Sequence, residues 1–219
     1  LRVGATIERQ GWATRPRIAL AVKENAMPGI RSVAVFCGAS AGHDPAFREA
    51  AGELGRGLAR AGIRLVYGGG RIGLMGAVAD ATLAAGGDVI GVIPDFLRQA
   101  EVAHEGVADL LVTDTMHTRK QRMFELSDAF VSFPGGLGTL DETFEILTWK
   151  QLKLHAKPIL ICDVAGSARP LLATIEAAIE TGFARPEIRA LYEITTSVSD
   201  TLALLSRLTM AAEGESARL

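Results

Sequence analysis

The sequence predicts a doubly wound, Rossmann-like α/β domain. Short apolar runs alternate with segments of helical period along most of the chain. The runs are apolar at successive positions, as strands buried on both faces require, so the sheet is expected to be parallel and covered by helices on each side. Glycine-rich turns follow three of the runs, after Cys37, Tyr67 and Phe133, where sheets of this kind bind ligands. With 219 residues, 48% of them apolar, the chain can bury one sizeable core.

The first 28 residues carry scattered charge (Arg2, Arg9, Arg15, Arg17, Lys23) and no clear period. The domain is therefore expected to span residues 29–209, with residues 1–28 a mobile extension. Ser32 to Cys37 reads as the first strand. Asp44-Pro45 supplies a cap and a first-turn proline for a helix whose Phe47, Ala50, Leu54, Leu58 and Ala61 share one face, and Gly62 ends it. Ile63 to Tyr67 is the second strand. The turn from Gly68 opens a helix through about Ala85. Asp88 to Ile93 is the third strand, closed by Pro94, and Asp95 to Gly106 reads as a loop with a short helix. Leu110 to Thr113 is a fourth strand and Met116 to Leu126 a helix. The run Ala129-Phe130-Val131 then leads through a glycine turn to a helix with Leu140, Phe144, Leu147 and Gln151 on one side. Pro158 to Cys162, a helix over Pro170 to Glu180, a short strand over Leu191 to Thr196 and a helix over Val198 to Leu208 complete the pattern. Residues 210–219 read as a loose tail.

Composition excludes several functions. A net charge of -2 offers no basic face for nucleic acid or anionic lipid. No apolar run approaches the roughly 18 residues of a membrane helix. Cys37 and Cys162 sit in apolar runs and read as buried thiols, which suits a reducing cytoplasm. His43, His104, His117 and His155 show no metal-ligand spacing, so no metal site is expected, and His117 is assigned a structural or orienting role. There is no Gly-x-Ser-x-Gly nucleophile elbow, and Trp12, Trp149 and the phenylalanines form no stacking array.

The chemistry concentrates in Ser132-Phe133-Pro134-Gly135-Gly136-Leu137-Gly138-Thr139-Leu140-Asp141-Glu142. A strand, a glycine turn and a helix aim backbone N–H groups and a helix dipole at one point, and glycines let an anion approach closely. A phosphate is the natural guest. Thr139 and Glu142 also fit the capping-box spacing, so Glu142 reads either as a helix cap or as a carboxylate acting on something attached to the phosphate. The turn Gly68-x-Gly70-x-x-Gly73, with Asp95 further on, matches the dinucleotide fingerprint and makes an NAD-dependent dehydrogenase an alternative. That alternative leaves the second glycine cassette without a role. Two cassettes fit one mononucleotide held from two sides about as well. Neither cassette is followed by Lys-Ser or Lys-Thr, so the chain has no P-loop. Arg119 and Lys120, early in a helix at the sheet's carboxyl edge, read as a solvated basic face or as partners of an anion, since a helix start does not favour cations.

Pro-Gly-Gly-x-Gly-Thr-x-x-Glu at 134–142, Met-His-x-Arg-Lys at 116–120 and Tyr-Gly-Gly-Gly-x-x-Gly-Leu-Met-Gly at 67–76 together resemble the LOG ("Lonely Guy") family. These are cytokinin riboside 5′-monophosphate phosphoribohydrolases, some long labelled lysine decarboxylase. The resemblance runs from about Ser32 to Leu208. It implies a hydrolase that cleaves the N-glycosidic bond of an adenosine-type 5′-monophosphate, without a cofactor, acting as a homodimer with sites near the subunit interface. By match of motif, Arg119 and Glu142 form the catalytic pair. Lys120, Gly135, Gly136, Gly138 and Thr139 belong to the nucleotide site, and Gly38, Ser40, Gly69, Gly70, Gly73 and Met75 to the substrate-binding turns. Glu101 matches a further substrate-contacting acid. Ala39 stands where relatives often have Ser, which leaves Ser40 as the hydroxyl of that turn. A nucleotide or cofactor carrier of the same fold, without turnover, is the other alternative. No motif places a pyridoxal-binding lysine.

Overall fold

A computed structural model describes residues 29–98 and 103–216, with side chains described through residue 208. The expected extension over residues 1–28 and Glu101 lie outside the described residues.

Seven strands form one parallel sheet: β1 (Ser32–Phe36), β2 (Arg64–Tyr67), β3 (Val89–Pro94), β4 (Asp109–Thr113), β5 (Ala129–Ser132), β6 (Ile159–Cys162) and β7 (Glu193–Thr195), in the spatial order β4-β3-β2-β1-β5-β6-β7. Six helices cover it: α1 (Pro45–Arg60), α2 (Gly73–Ala84), α3 (Met116–Glu125), α4 (Leu137–Gln151), α5 (Arg169–Glu180) and α6 (Val198–Ser216). Short 3-10 turns occupy Asp95–Leu97 and Pro186–Leu191. The doubly wound parallel architecture expected from the sequence is thus what forms.

Strand alternation divides the core in two. Val33, Val35 and Leu65 face a layer built from Leu54 and Leu58 of α1, Leu74 and Val78 of α2 and Leu205 of α6. Ala34, Phe36, Val66 and Phe130 face Met123 of α3, Ile146 and Leu147 of α4 and Leu171 and Ile175 of α5. In β1, β3, β5 and β6 each residue is buried on whichever side it points, which explains why these runs are apolar throughout.

Most elements form where the pattern places them. Asp44 caps α1 through its side chain, accepting from the Ala46 N–H at 2.9 Å, with Pro45 at the first helical position. Two helix ends differ. α6 continues past Leu208 to Ser216, so part of the tail that reads as loose is helical. α4 begins at Leu137, well before the Thr139 cap suggested by the sequence, because the chain turns at Gly135-Gly136.

The strand order fixes where a ligand fits. From β1 the chain moves outward through α1 to β2, whereas from β5 it moves through α4 to β6 in the opposite direction. Strands β1 and β5 are neighbours, with Val33 opposite Ala129 and Phe36 opposite Ser132. Their following turns diverge and leave a crevice beyond the carboxyl edge, the switch point of this fold.

Candidate functional site

The crevice is a cavity of about 660 Å³. Its floor is the pair of turns after β1 and β5. The Gly38 N–H donates to the Pro134 carbonyl at 3.0 Å, joining the two turns. Ser40, Phe47 and Met75 line one side, Met116 and Arg119 of α3 a second, and Gly135, Gly136, Leu137, Gly138, Thr139 and Glu142 a third.

Two helices point their N-termini toward this edge, and they are not equivalent. The first N–H groups of α2 are taken up by protein: Leu74 and Met75 both donate to the Gly38 carbonyl, at 2.9 and 3.3 Å. α4 starts on Gly136 with no side-chain cap. The N–H groups of its first turn therefore face the cavity together with the positive end of the helix dipole, an anion site in form. A Cβ at Gly136 or Gly138 would meet no atom within 4 Å, so packing does not require these glycines. What they leave clear is the approach to the amides.

The capping-box reading of Thr139 and Glu142 is not what forms. Both residues lie inside α4, and neither caps it. Thr139 packs its hydroxyl against Gly135, where a Cβ would come within 2.0 Å of it. Thr143 anchors the same turn to the sheet, donating to the Thr139 carbonyl at 2.7 Å and bonding Ser132 Oγ at 2.8 Å.

Glu142 instead meets Arg119. The Arg119 Nη1 donates to Glu142 Oε1 at 2.7 Å, and the two side chains are 7% and 8% exposed. The Arg119 Nε donates to the Val92 carbonyl of β3, at 3.0 Å. Room for the guanidinium comes from Gly68, where a Cβ would lie 2.2 Å from Arg119 Nη2. Arg119 is thus buried, held at two points and aligned with a carboxylate at the cavity wall. Burial of an ion pair is costly unless its members are well partnered, so the arrangement points to a use beyond stability. Cys37 is the nearest thiol. Burial pushes its pKa far up, the Glu142 carboxylate adds to the rise, and Arg119 only partly offsets it, so it stays a neutral thiol.

The turn after β2 plays another part than the fingerprint suggests. Gly69 and Gly73 have φ of +79° and +63°, and a Cβ on Gly73 would fall 2.3 Å from the Ala39 carbonyl carbon. The Gly69 carbonyl accepts from the His104 N–H at 3.0 Å, and Gly70 forms a bridge with Ala103. The space these glycines open is filled by the chain itself. Gly68, Gly69, Gly70 and Gly73 are not among the cavity's lining residues, and Asp95 is exposed and paired with Arg98 at 3.2 Å. A dinucleotide finds no cradle there.

Lys120 is not among the cavity's lining residues. Its ammonium binds Asp141 at 3.0 Å and Glu145 at 3.1 Å. His117 is exposed and does not line the cavity. Among the lining residues that no site motif flagged are Phe47 and Ser167, whose Oγ is buried without a hydrogen-bond partner. Phe47 reads as an ordinary helix-face position, and nothing in the loop after β6 singles out Ser167. Among the described residues no group of three or more His, Cys, Asp or Glu could hold a metal ion, and no helix is long and apolar enough to cross a membrane.

Comparison with known proteins places these features among relatives. A family model described as "Possible lysine decarboxylase" matches residues 75–205. A cytokinin riboside 5′-monophosphate phosphoribohydrolase from Rhodococcoides fascians is 44% identical over 192 residues, covering 87% of this chain and 97% of that protein. A protein of the same name from Arabidopsis thaliana is 45% identical over 159 residues, covering 73% of this chain and 75% of the relative. Among solved structures, the molybdenum cofactor carrier protein of Chlamydomonas reinhardtii superposes with a TM-score of 0.62 at 23% identity, covering 81% of this chain and 96% of that one. At that identity the likeness bears on fold alone.

Proposed function

This chain belongs to the LOG family of cytokinin riboside 5′-monophosphate phosphoribohydrolases, and we propose that its cavity binds an adenosine-type nucleoside 5′-monophosphate and hydrolyses the bond between base and ribose. The observation that carries the reading is the buried Arg119–Glu142 pair on the wall of a cavity that the uncapped start of α4 also lines. The helix start supplies a phosphate grip and the ion pair a fixed carboxylate.

The chemistry follows from charge. As the C1′–N bond lengthens, the ribose becomes positive, and the Glu142 carboxylate beside it stabilises the oxocarbenium-like state. Water adds its oxygen to C1′ and yields one proton, and the departing base takes up one proton at its ring nitrogen. Glu142 orients the water. Arg119 stays protonated and is no proton donor. It fixes the carboxylate and hydrogen-bonds the nucleotide. The amides of Leu137, Gly138 and Thr139 receive the 5′-phosphate, which accounts for a preference for nucleotide over nucleoside.

The partnering and setting of the enzyme belong to the same reading. Val112 on the edge strand β4 and Phe96 just after β3 are exposed apolar side chains, and they support a homodimer. The free thiols of Cys37 and Cys162 support a cytoplasmic setting.

The test is product analysis with AMP beside isopentenyl-AMP, reading free base and ribose 5-phosphate by chromatography. Base is released from at least one of them, and the faster substrate identifies the physiological base. The Glu142→Gln protein remains folded, binds nucleotide and turns over at least about a thousandfold more slowly. Release by that variant at the parent rate would remove Glu142 from the chemistry.

A further inference from the structure

The loop between β6 and α5 belongs to neither glycine cassette, yet it reaches the cavity through Ser167. β6 lies beside β5, with Ile161 opposite Ser132, so the loop leaving its carboxyl end borders the glycine turn that follows β5. The loop is bound at both ends. The Asp163 N–H donates to the Thr195 carbonyl at 2.8 Å, and Asp163 Oδ1 accepts from the Ala168 N–H at 2.8 Å. Between them Ala165 and Gly166 take φ of +50° and +81°, a conformation that alanine seldom adopts. The Ser167 N–H closes this turn on the Val164 carbonyl at 3.0 Å. Ser167 is thereby held at the cavity wall. It also lines an adjoining hollow of about 30 Å³, which it shares with Pro134, Gly135 and Thr139 of the phosphate cassette. Its Oγ is closed off from solvent and has no hydrogen-bond partner among the described residues.

We propose that Ser167 is a further ligand of the nucleotide: a turn about its Cα–Cβ bond brings the hydroxyl into the cavity, where it donates to an oxygen of the 5′-phosphate beside the amides of α4. The proposal rests on the nucleotide reading of the cavity, but not on turnover. A buried hydroxyl without a partner is a cost to the folded chain, and a guest that brings an acceptor removes it. With no hydrogen bond to break, the hydroxyl passes between its staggered rotamers more freely than a partnered one. Its backbone stays where the bound loop holds it. A phosphate is the acceptor that suits the place. Arg119 is the one Lys or Arg among the described residues lining the cavity, and its guanidinium is paired with Glu142. The grip on a phosphate is therefore built from neutral donors. A hydrogen bond from such a donor to a charged oxygen is stronger than one between neutral groups. The same hydroxyl thus weakens the empty protein and strengthens the occupied one. A serine that merely held its loop together would do the first in reverse and the second not at all.

The test compares the parent protein with Ser167→Ala. Calorimetry gives the affinity for ribose 5-phosphate, which has no base to lose, and for adenosine, which has no phosphate. Thermal melts are recorded with and without ribose 5-phosphate. Without ligand, Ser167→Ala melts no more than about one degree below the parent, or above it, because the lost hydroxyl had no partner. Ribose 5-phosphate binds the variant about tenfold or more weakly and raises its melting temperature by less. Adenosine binds the two proteins within about twofold of each other, since its contacts do not include the hydroxyl. Ribose 5-phosphate affinity within about twofold of the parent overturns the proposal. A variant that melts several degrees lower without ligand also overturns it, because the hydroxyl then holds the fold. A tenfold loss that adenosine shares does so too, because the phosphate is then not what the hydroxyl meets. A parent protein that binds ribose 5-phosphate and releases no base from AMP rejects the hydrolase reading alone. In that case the ribose 5-phosphate affinity of Ser167→Ala still decides the role of Ser167. A parent that does not bind ribose 5-phosphate overturns the proposal outright.

Discussion

Gly38 and Gly135 touch backbone to backbone across the seam between β1 and β5. A Cβ on Gly38 would stand 3.4 Å from the Gly135 Cα, and one on Gly135 would stand 2.9 Å from the Gly38 nitrogen. Neither turn can thicken without pushing the other away, and the floor of the cavity is made of both.

Gly135→Ala is therefore expected to cost about 1–3 kcal/mol by overpacking against Thr139 and Gly38. The displaced α4 amides and Glu142 should lower turnover about a hundredfold. Gly136→Ala is the control, because its Cβ meets nothing within 4 Å. It should melt with the parent while raising KM for the monophosphate. Thermal melts and initial rates on both variants check the contrast, and equal behaviour of the two would contradict it.

Cys37 lines the cavity, yet its thiol is held neutral chiefly by burial. Thiolate is the form that alkylates. Iodoacetamide at pH 7–8 is expected to leave activity intact and Cys37 unmodified by mass spectrometry. Rapid inactivation, with the label on Cys37, would show an accessible thiolate and a different electrostatic balance beside Glu142.

His155 provides a pH signature away from the site. Its Nε2 donates to the Ile146 carbonyl at 2.9 Å, its Nδ1 accepts from the Lys157 N–H at 3.2 Å, and it packs on the edges of Phe124 and Phe130. Burial lowers its pKa from 6.5, the bond to Ile146 partly opposes this, and Lys150 and Lys157 lower it further. Below pH 6.5 the unfolded chain binds a proton that the folded one does not. The contribution is thus fully present above that pH and is lost as pH falls toward the folded value. Melting temperatures from pH 8 to 5 should fall by a few degrees more in the parent than in His155→Gln. Parallel curves for the two proteins would exclude it.

Much of the fold was legible because its cause is local. A run such as Ile159-Leu160-Ile161-Cys162 is buried on both faces, and an apolar residue at every position is the direct trace of that. The cap at Asp44 was legible for the same reason. The start of α4 was not, because Thr-x-x-Glu is a genuine capping pattern and two glycines look like a poor first turn. Only the contact of Gly38 with Gly135 explains why the helix opens among them. The partners of Arg119 lie at Gly68, Val92 and Glu142, far apart in sequence, so a motif could flag the arginine but not its burial. Lys120 shared that motif but pairs with Asp141 and Glu145, since neighbouring positions on a helix point about 100° apart.

The hydrogen at Gly68 has an implication for how this chain can change. The Arg119 guanidinium occupies the volume that any larger residue at 68 would claim. Positions 68 and 119 are therefore heritable only as a couple: a methyl at one evicts the cation at the other and strands Glu142. A mutational path from this scaffold toward a two-phosphate cofactor would have to surrender the arginine before the glycine turn became vacant, passing through intermediates that hold neither ligand well.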